Sequence, residues 1–306
     1  MKFSNPYRSM YTWQYCAEKY LSQKKNVLEL ETYKTYKSKF KVLSDWLDNN
    51  NKSNIHVTKI TVELISHFFD YMKNERKVSN KTAHEYKELF KSTCKHFVKV
   101  GLIKSNPFEL LPTVKFKKDT KKPQIMSDII LHTIKNYFLE HDKQMWTVCL
   151  FIFYCFIRPK ELRFLKIGDI DFAEGYVTVR GEIAKNDKTQ TVIIPDNLLE
   201  HLIKENYHLK NKTDFVFTNG VYTHKAVGRS YFSNQYRAMR KVTGIDFDIK
   251  FYSLKHTGGV KLKKSGADLI EMKKQFRHYS IEQTYQYICS LENEDSPHIR
   301  KNGFII

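Results

Sequence analysis

Between Pro112 and Pro123 the chain carries Lys115, Lys117, Lys118, Lys121 and Lys122, with only Val114 and Phe116 as apolar residues. Such a stretch has no face to bury at either helical or strand spacing, and the prolines at its ends interrupt regular structure. It reads as a basic linker over residues 112–123 that forces what precedes and follows it to fold as separate domains, 1–111 and 124–306. A length of 306 residues is enough for two ordinary domains, and 41% hydrophobic residues supply a core to each.

Apolar spacing before the linker predicts a helical bundle, with helices over 10–21, 33–47, 62–72 and 83–100. Tyr33, Tyr36, Phe40, Leu43 and Leu47 recur at helical intervals, and Gly101 stands where the last helix should stop. Lys34, Lys37, Lys41, Lys87, Lys91 and Lys95 fall off these stripes and give two helices a basic face, either a solvated surface or a groove for a polyanion. After the linker, helices are expected over 127–139 and 145–157. Two β-branched runs at 176–180 and 191–194 predict a hairpin with Lys185 and Lys188 near its tip. Helices over 225–242, 252–264, 269–276 and 280–289 should follow. The fold class expected is mainly α with a small antiparallel sheet, α+β.

Charge narrows the partners. The net charge is +19, and residues 1–123 hold 25 Lys and Arg against 12 Asp and Glu, so the first part is the stronger polyanion binder. The longest apolar run, residues 145–157, is too short to cross a bilayer and no signal pattern opens the chain, so no membrane partner is expected. Five cysteines without a C-x-x-C pair suit reduced thiols in a cytosolic, nucleoid-associated protein. No His-Glu-x-x-His or paired-carboxylate cluster suggests a metal, and no cofactor is expected.

The chemistry gathers near the carboxyl end, where Lys255, His256, His278 and Tyr287 lie within one short helical region. A phenol titrates near 10, so a tyrosine that attacks phosphorus needs neighbouring positive charge or a base, and both kinds of group are present. Ile281, Thr284, Tyr285 and Ile288 fit one apolar stripe. By that reading Tyr285 packs and Tyr287 projects away, available for chemistry.

The order Arg158-x-x-Glu161-Leu162, lysine-tipped hairpin, Tyr252-x-x-Lys255-His256-Thr257-Gly258, His278 and Tyr287 nine residues later resembles the tyrosine recombinase (phage integrase) family. The likeness spans nearly the whole chain. It implies a SAM-like, helical core DNA-binding domain ahead of a catalytic domain, and DNA cutting and rejoining through a 3′-phosphotyrosine without metal or ATP. Integration, excision or inversion of a mobile element would follow. By the same resemblance Arg158 holds the scissile phosphate, Lys185 protonates the departing 5′ oxygen with Lys188 as competitor, His278 donates to a phosphate oxygen, and Tyr287 is the nucleophile. Two positions depart from the commonest pattern: Tyr252 stands for a histidine and Lys255 for the second arginine, which keeps the charge but loses the bidentate fork. His256, next to Lys255 on a helix, is expected to point elsewhere and be structural. The partners implied are double-stranded recombination sites, a homotetramer on DNA, and accessory DNA-bending or excision factors. The apolar tip at 303–306 is expected to pack on another protomer or on its own domain. Rival readings are a type IB topoisomerase-like enzyme and a non-catalytic DNA-binding protein of the same fold.

Overall fold

The computed structural model describes residues 11–109, 111, 123–220 and 223–291. The chain gathers into two compact units, Met1–Lys121 and Lys122–Ile306. Lys115, Lys117, Lys118, Lys121 and Lys122, and the apolar tip at 303–306, lie outside the described residues.

The first unit holds α1 (Trp13–Lys24), α2 (Leu30–Asn49), α3 (Val62–Asn74) and α4 (Asn80–Lys99). Thr12, Thr61 and Ser79 start α1, α3 and α4, each hydroxyl accepting a backbone N–H of the first turn that has no intrahelical partner. Gly101 follows α4 at φ +74°, the left-handed geometry of a helix stop. The apolar stripes meet around Phe90, whose ring centroid lies 5.8 Å from Trp13, 5.6 Å from Phe40 and 6.1 Å from Phe68, all edge to face. Each such burial contributes about 1.5–3 kcal/mol. Along α2 the expected Phe40, Leu43 and Leu47 are buried with Trp46, while Tyr33 and Tyr36 are partly covered. On the polar faces Lys34, Lys37, Lys41 and Lys95 are exposed and Lys87 and Lys91 half-buried. Lys34 pairs with Glu31 at 3.1 Å and Lys41 with Asp45 at 3.0 Å, exposed contacts that contribute little to stability.

The second unit begins with α5 (Asp128–His141), α6 (Lys143–Tyr154) and the one-turn α7 (Pro159–Leu162). Strands β1 (Ile170–Asp171), β2 (Tyr176–Val179) and β3 (Gln190–Ile193) form an antiparallel sheet in that order, with Val177 opposite Val192. Helices α8 (Asp196–Lys204), α9 (Tyr231–Thr243), α10 (Ser253–Lys264), α11 (Leu269–Phe276) and α12 (Ile281–Leu291) complete it. The expected hairpin is present. β1, two residues long, and α8 are additions to the sequence reading, and α9 starts later than expected. Helix α6 also stops short of residue 157: Phe156 turns at φ +55°, and Arg158, ahead of a proline, is held extended. Pro159 then opens α7 at the position where its missing N–H costs nothing.

Met145, Thr147, Val148, Cys149, Phe151 and Ile152 of α6 are buried, as a helix apolar on most sides requires. Helix α10 crosses α6 so closely that a Cβ at Gly258 would stand 2.0 Å from the Phe153 carbonyl oxygen. Only glycine fits there. Among the described residues no helix is long and apolar enough to cross a membrane.

Candidate active site

Glu161, 1% exposed, organises the positive groups. Its Oε1 accepts Arg158 Nη1 at 2.9 Å and the Lys185 backbone N–H at 3.4 Å. Its Oε2 accepts the Arg158 backbone N–H at 2.9 Å and Arg277 Nη2 at 2.5 Å. One carboxylate therefore ties the start of α7, the β2–β3 connection and the end of α11 together. Burial alone would raise its pKa, but the hydrogen bond and charge of Arg277, with those of Arg158, hold it below the ordinary carboxylate value. Glu161 thereby orients the Arg158 guanidinium, whose side chain is 28% exposed.

Arg277 is the residue that the sequence reading passed over. It sits in left-handed backbone at φ +55° where α11 ends, is buried, and leaves Nε and Nη1 without a protein partner. Its type and place before His278 were visible. Its burial against Glu161, 116 residues earlier in the chain, was not.

Lys255 is 3% exposed on α10 and donates from Nζ to the Phe156 carbonyl at 2.9 Å. Burial first, then the charges of Arg158 and Arg277, pull its pKa down to about 7. Tyr252, at the start of α10, is more open; burial raises its pKa while Arg158 pulls the other way. Arg158 and Arg277 share the Glu161 carboxylate, and Lys255 Nζ lies 5.8 Å from the Tyr252 ring centre.

Helix α12 corrects two expectations. Its buried side is Thr284, Ile288 and Leu291, with Tyr287 half-buried beside them, while Tyr285 is 54% exposed. The stripe runs 284, 287, 288, 291, the spacing of a helical face, so Tyr287 points inward and Tyr285 outward. His256, expected to point away, lies with Nδ1 2.9 Å from Tyr287 Oη. Both follow from one packing fact, that α12 lies over the side of α10 carrying His256 and Gly259. A Cβ at Gly259 would be 3.5 Å from the Tyr287 ring.

His278 contacts Tyr287 edge-on at 5.5 Å and its Nδ1 lies 3.0 Å from Thr284 Oγ1. Burial, then Lys255 and Arg158, lower its pKa to about 4, so both imidazoles are neutral at neutral pH. Burial also raises the pKa of the Tyr287 phenol. Lys185 and Lys188 are both exposed on the turns between β2 and β3; Lys188 Nζ lies 5.8 Å from the Tyr279 ring centre. Among the described residues no group of three His, Cys, Asp or Glu is placed to hold a metal ion. A separate groove of about 1270 Å³, lined by Leu131, Leu150, Phe153 and Leu262 among others, contains none of the ionisable side chains named above.

Such a set, a tyrosine hydroxyl beside imidazoles and buried cations in a helical unit with a small sheet, is that of the tyrosine-type site-specific recombinases. The family model described as phage integrase family matches residues 124–294, and the phage integrase SAM-like domain matches 13–118. The chain belongs to the phage integrase family. It is 26% identical over 243 residues to tyrosine recombinase XerC of Natranaerobius thermophilus, covering 75% of this chain and 78% of that protein. A tyrosine recombinase of Pseudothermotoga lettingae is 24% identical over 205 residues, 64% of this chain and 66% of that one. Among solved structures, a lambda integrase dimer bound to a COC′ core site superposes with a TM-score of 0.75 at 16% identity, covering 93% of this chain and 79% of that one. The Tn1549 transposon integrase in complex with transposon right end DNA gives 0.74 at 13% identity, covering 95% and 97%.

Proposed function

We propose that the protein recombines double-stranded DNA at specific sites by transferring a strand to Tyr287 and back. Tyr287 Oη bonds to the scissile phosphorus as the bond from phosphorus to the 5′ oxygen breaks, and the departing oxygen takes a proton from Lys185. Arg158, Lys255 and His278 stabilise the charge growing on the non-bridging oxygens, and Tyr252 adds a hydroxyl at the rim. The phosphotyrosine keeps the bond energy, so a 5′ hydroxyl of a partner duplex can reverse the step without ATP. The lysines of α2 and α4, with those of the linker, supply phosphate contacts along the duplex. DNA complexes of the similar lambda and Tn1549 integrases support duplex DNA as the partner. Assembly as a homotetramer on DNA, assisted by DNA-bending or excision factors, belongs to the same reading.

The observation that carries the proposal is the convergence of Arg158 and Arg277 on one buried carboxylate, in the unit that also buries Lys255 and seats the Tyr287 hydroxyl on His256 with His278 against its ring. On a nicked suicide substrate the wild-type chain should become covalently attached to DNA. Tyr287→Phe should bind the same DNA and form no adduct; adducts from that variant would remove Tyr287 as nucleophile.

A further inference from the structure

We propose that His256 is the base that receives the phenolic proton of Tyr287 during attack, a part for which Tyr252 has no basic nitrogen. The inference rests on Tyr287 being the nucleophile. Its Nδ1 lies 2.9 Å from Oη, within reach for direct proton transfer. The contact is built into the fold: His256 and Gly259, one turn apart on α10, both face α12, and the Tyr287 ring lies 3.5 Å from where a Cβ at Gly259 would stand. On its own helix His256 is met edge-on by the Tyr252 ring at 5.3 Å. The other imidazole is less suited, because His278 Nδ1 is engaged by Thr284 and its ring meets Tyr287 through an edge contact.

The groups facing His256 are Tyr252 and Lys255 from α10 and Tyr287 from α12, with His278 across the tyrosine ring. Burial, followed by the charge of Lys255, sets the imidazole near 4, so it is an acceptor at neutral pH. Against a phenol whose own pKa is raised, transfer is uphill until Oη begins to bond to phosphorus, so the proton moves with the attack. The cleavage step then balances: the O–H bond of Tyr287 breaks, Nδ1 gains the proton, the Oη–P bond forms, and the 5′ oxygen leaves with a proton from Lys185. On rejoining, the imidazolium returns its proton to the departing phenolic oxygen and Lys185 takes that of the 5′ hydroxyl.

The test measures the rate of covalent attachment by the full chain on suicide DNA carrying either oxygen or sulfur at the bridging 5′ position, since sulfur leaves without needing a proton. His256→Ala and His256→Asn should each slow attachment by about 10²–10⁴-fold, on both substrates. The asparagine keeps a hydrogen-bonding side chain of similar reach but cannot take up a proton, and it stands in for the alanine should that variant not fold. Sulfur should rescue Lys185→Ala alone. Wild-type rate from His256→Asn, or rescue of either His256 variant by sulfur, overturns the base assignment and leaves Tyr287 in place. Adducts from Tyr287→Phe would overturn the underlying reading instead.

Discussion

Arg277 and Glu161 meet at 2.5 Å with both side chains 1% exposed, and the same carboxylate holds Arg158 at 2.9 Å. Two guanidinium groups thus depend on one anion in a place where water cannot replace it. Breaking such a buried pair by removing one partner costs about 3–5 kcal/mol, because the remaining charge is left uncompensated. Glu161→Gln should lower stability by that amount in urea denaturation and should also slow cleavage, since the Arg158 fork loses its support.

The same carboxylate predicts an acid limb. Its folded pKa lies below the ordinary 4.5, so its stabilisation is present above that value and is lost as the pH falls through the lowered folded one. Denaturation midpoints measured from pH 6 down to 3 should fall more steeply for wild type than for Glu161→Gln.

Lys255 predicts a slope of the same sign in the alkaline range. Its pKa drops from 10.5 to about 7 on folding, so between those values the unfolded chain binds the extra proton and stability should rise with pH, by at most about 1.4 kcal/mol per pH unit. Lys255→Met should flatten that rise. The slope is the readout, because the substitution also strands the Phe156 carbonyl.

At the β2–β3 connection the two lysines should separate. Lys185, whose backbone N–H is tied to Glu161, should cost about 10²–10⁴-fold in adduct formation when changed to alanine, the range for a lost general acid. Lys188→Ala should stay within a few-fold of wild type. Equal losses would reassign the acid.

Gly258 and Gly259 make a matched pair. Gly258→Ala would force a Cβ to 2.0 Å from a backbone oxygen and should destabilise by about 3 kcal/mol or more, at or beyond the usual range for overpacking. Gly259→Ala meets only ordinary contacts at 3.4–3.5 Å and should melt close to wild type.

The elements with strong periodic burial were legible from sequence: α2, α3, α4 and α11 lie where apolar spacing and stop residues put them, and the β2–β3 hairpin follows from β-branched runs. Short α8 was missed because nine residues with two buried leucines, Leu198 and Leu202, carry little signal at any period. At the site, residue types in order pointed to Arg158, Lys255, His278 and Tyr287. The inward face of Tyr287, the His256 contact and the Arg277–Glu161 pair were not legible. Each is set by which side of one helix another element covers, a tertiary fact that no local pattern encodes.

The bond from Lys255 to the Phe156 carbonyl fastens the bend that brings the chain round to Arg158. Under the proposed function one amine therefore serves as architectural pin and as phosphate ligand at once. Any replacement at that position disturbs the presentation of the neighbouring guanidinium along with its own charge, so loss of turnover there can never be assigned to reactivity alone.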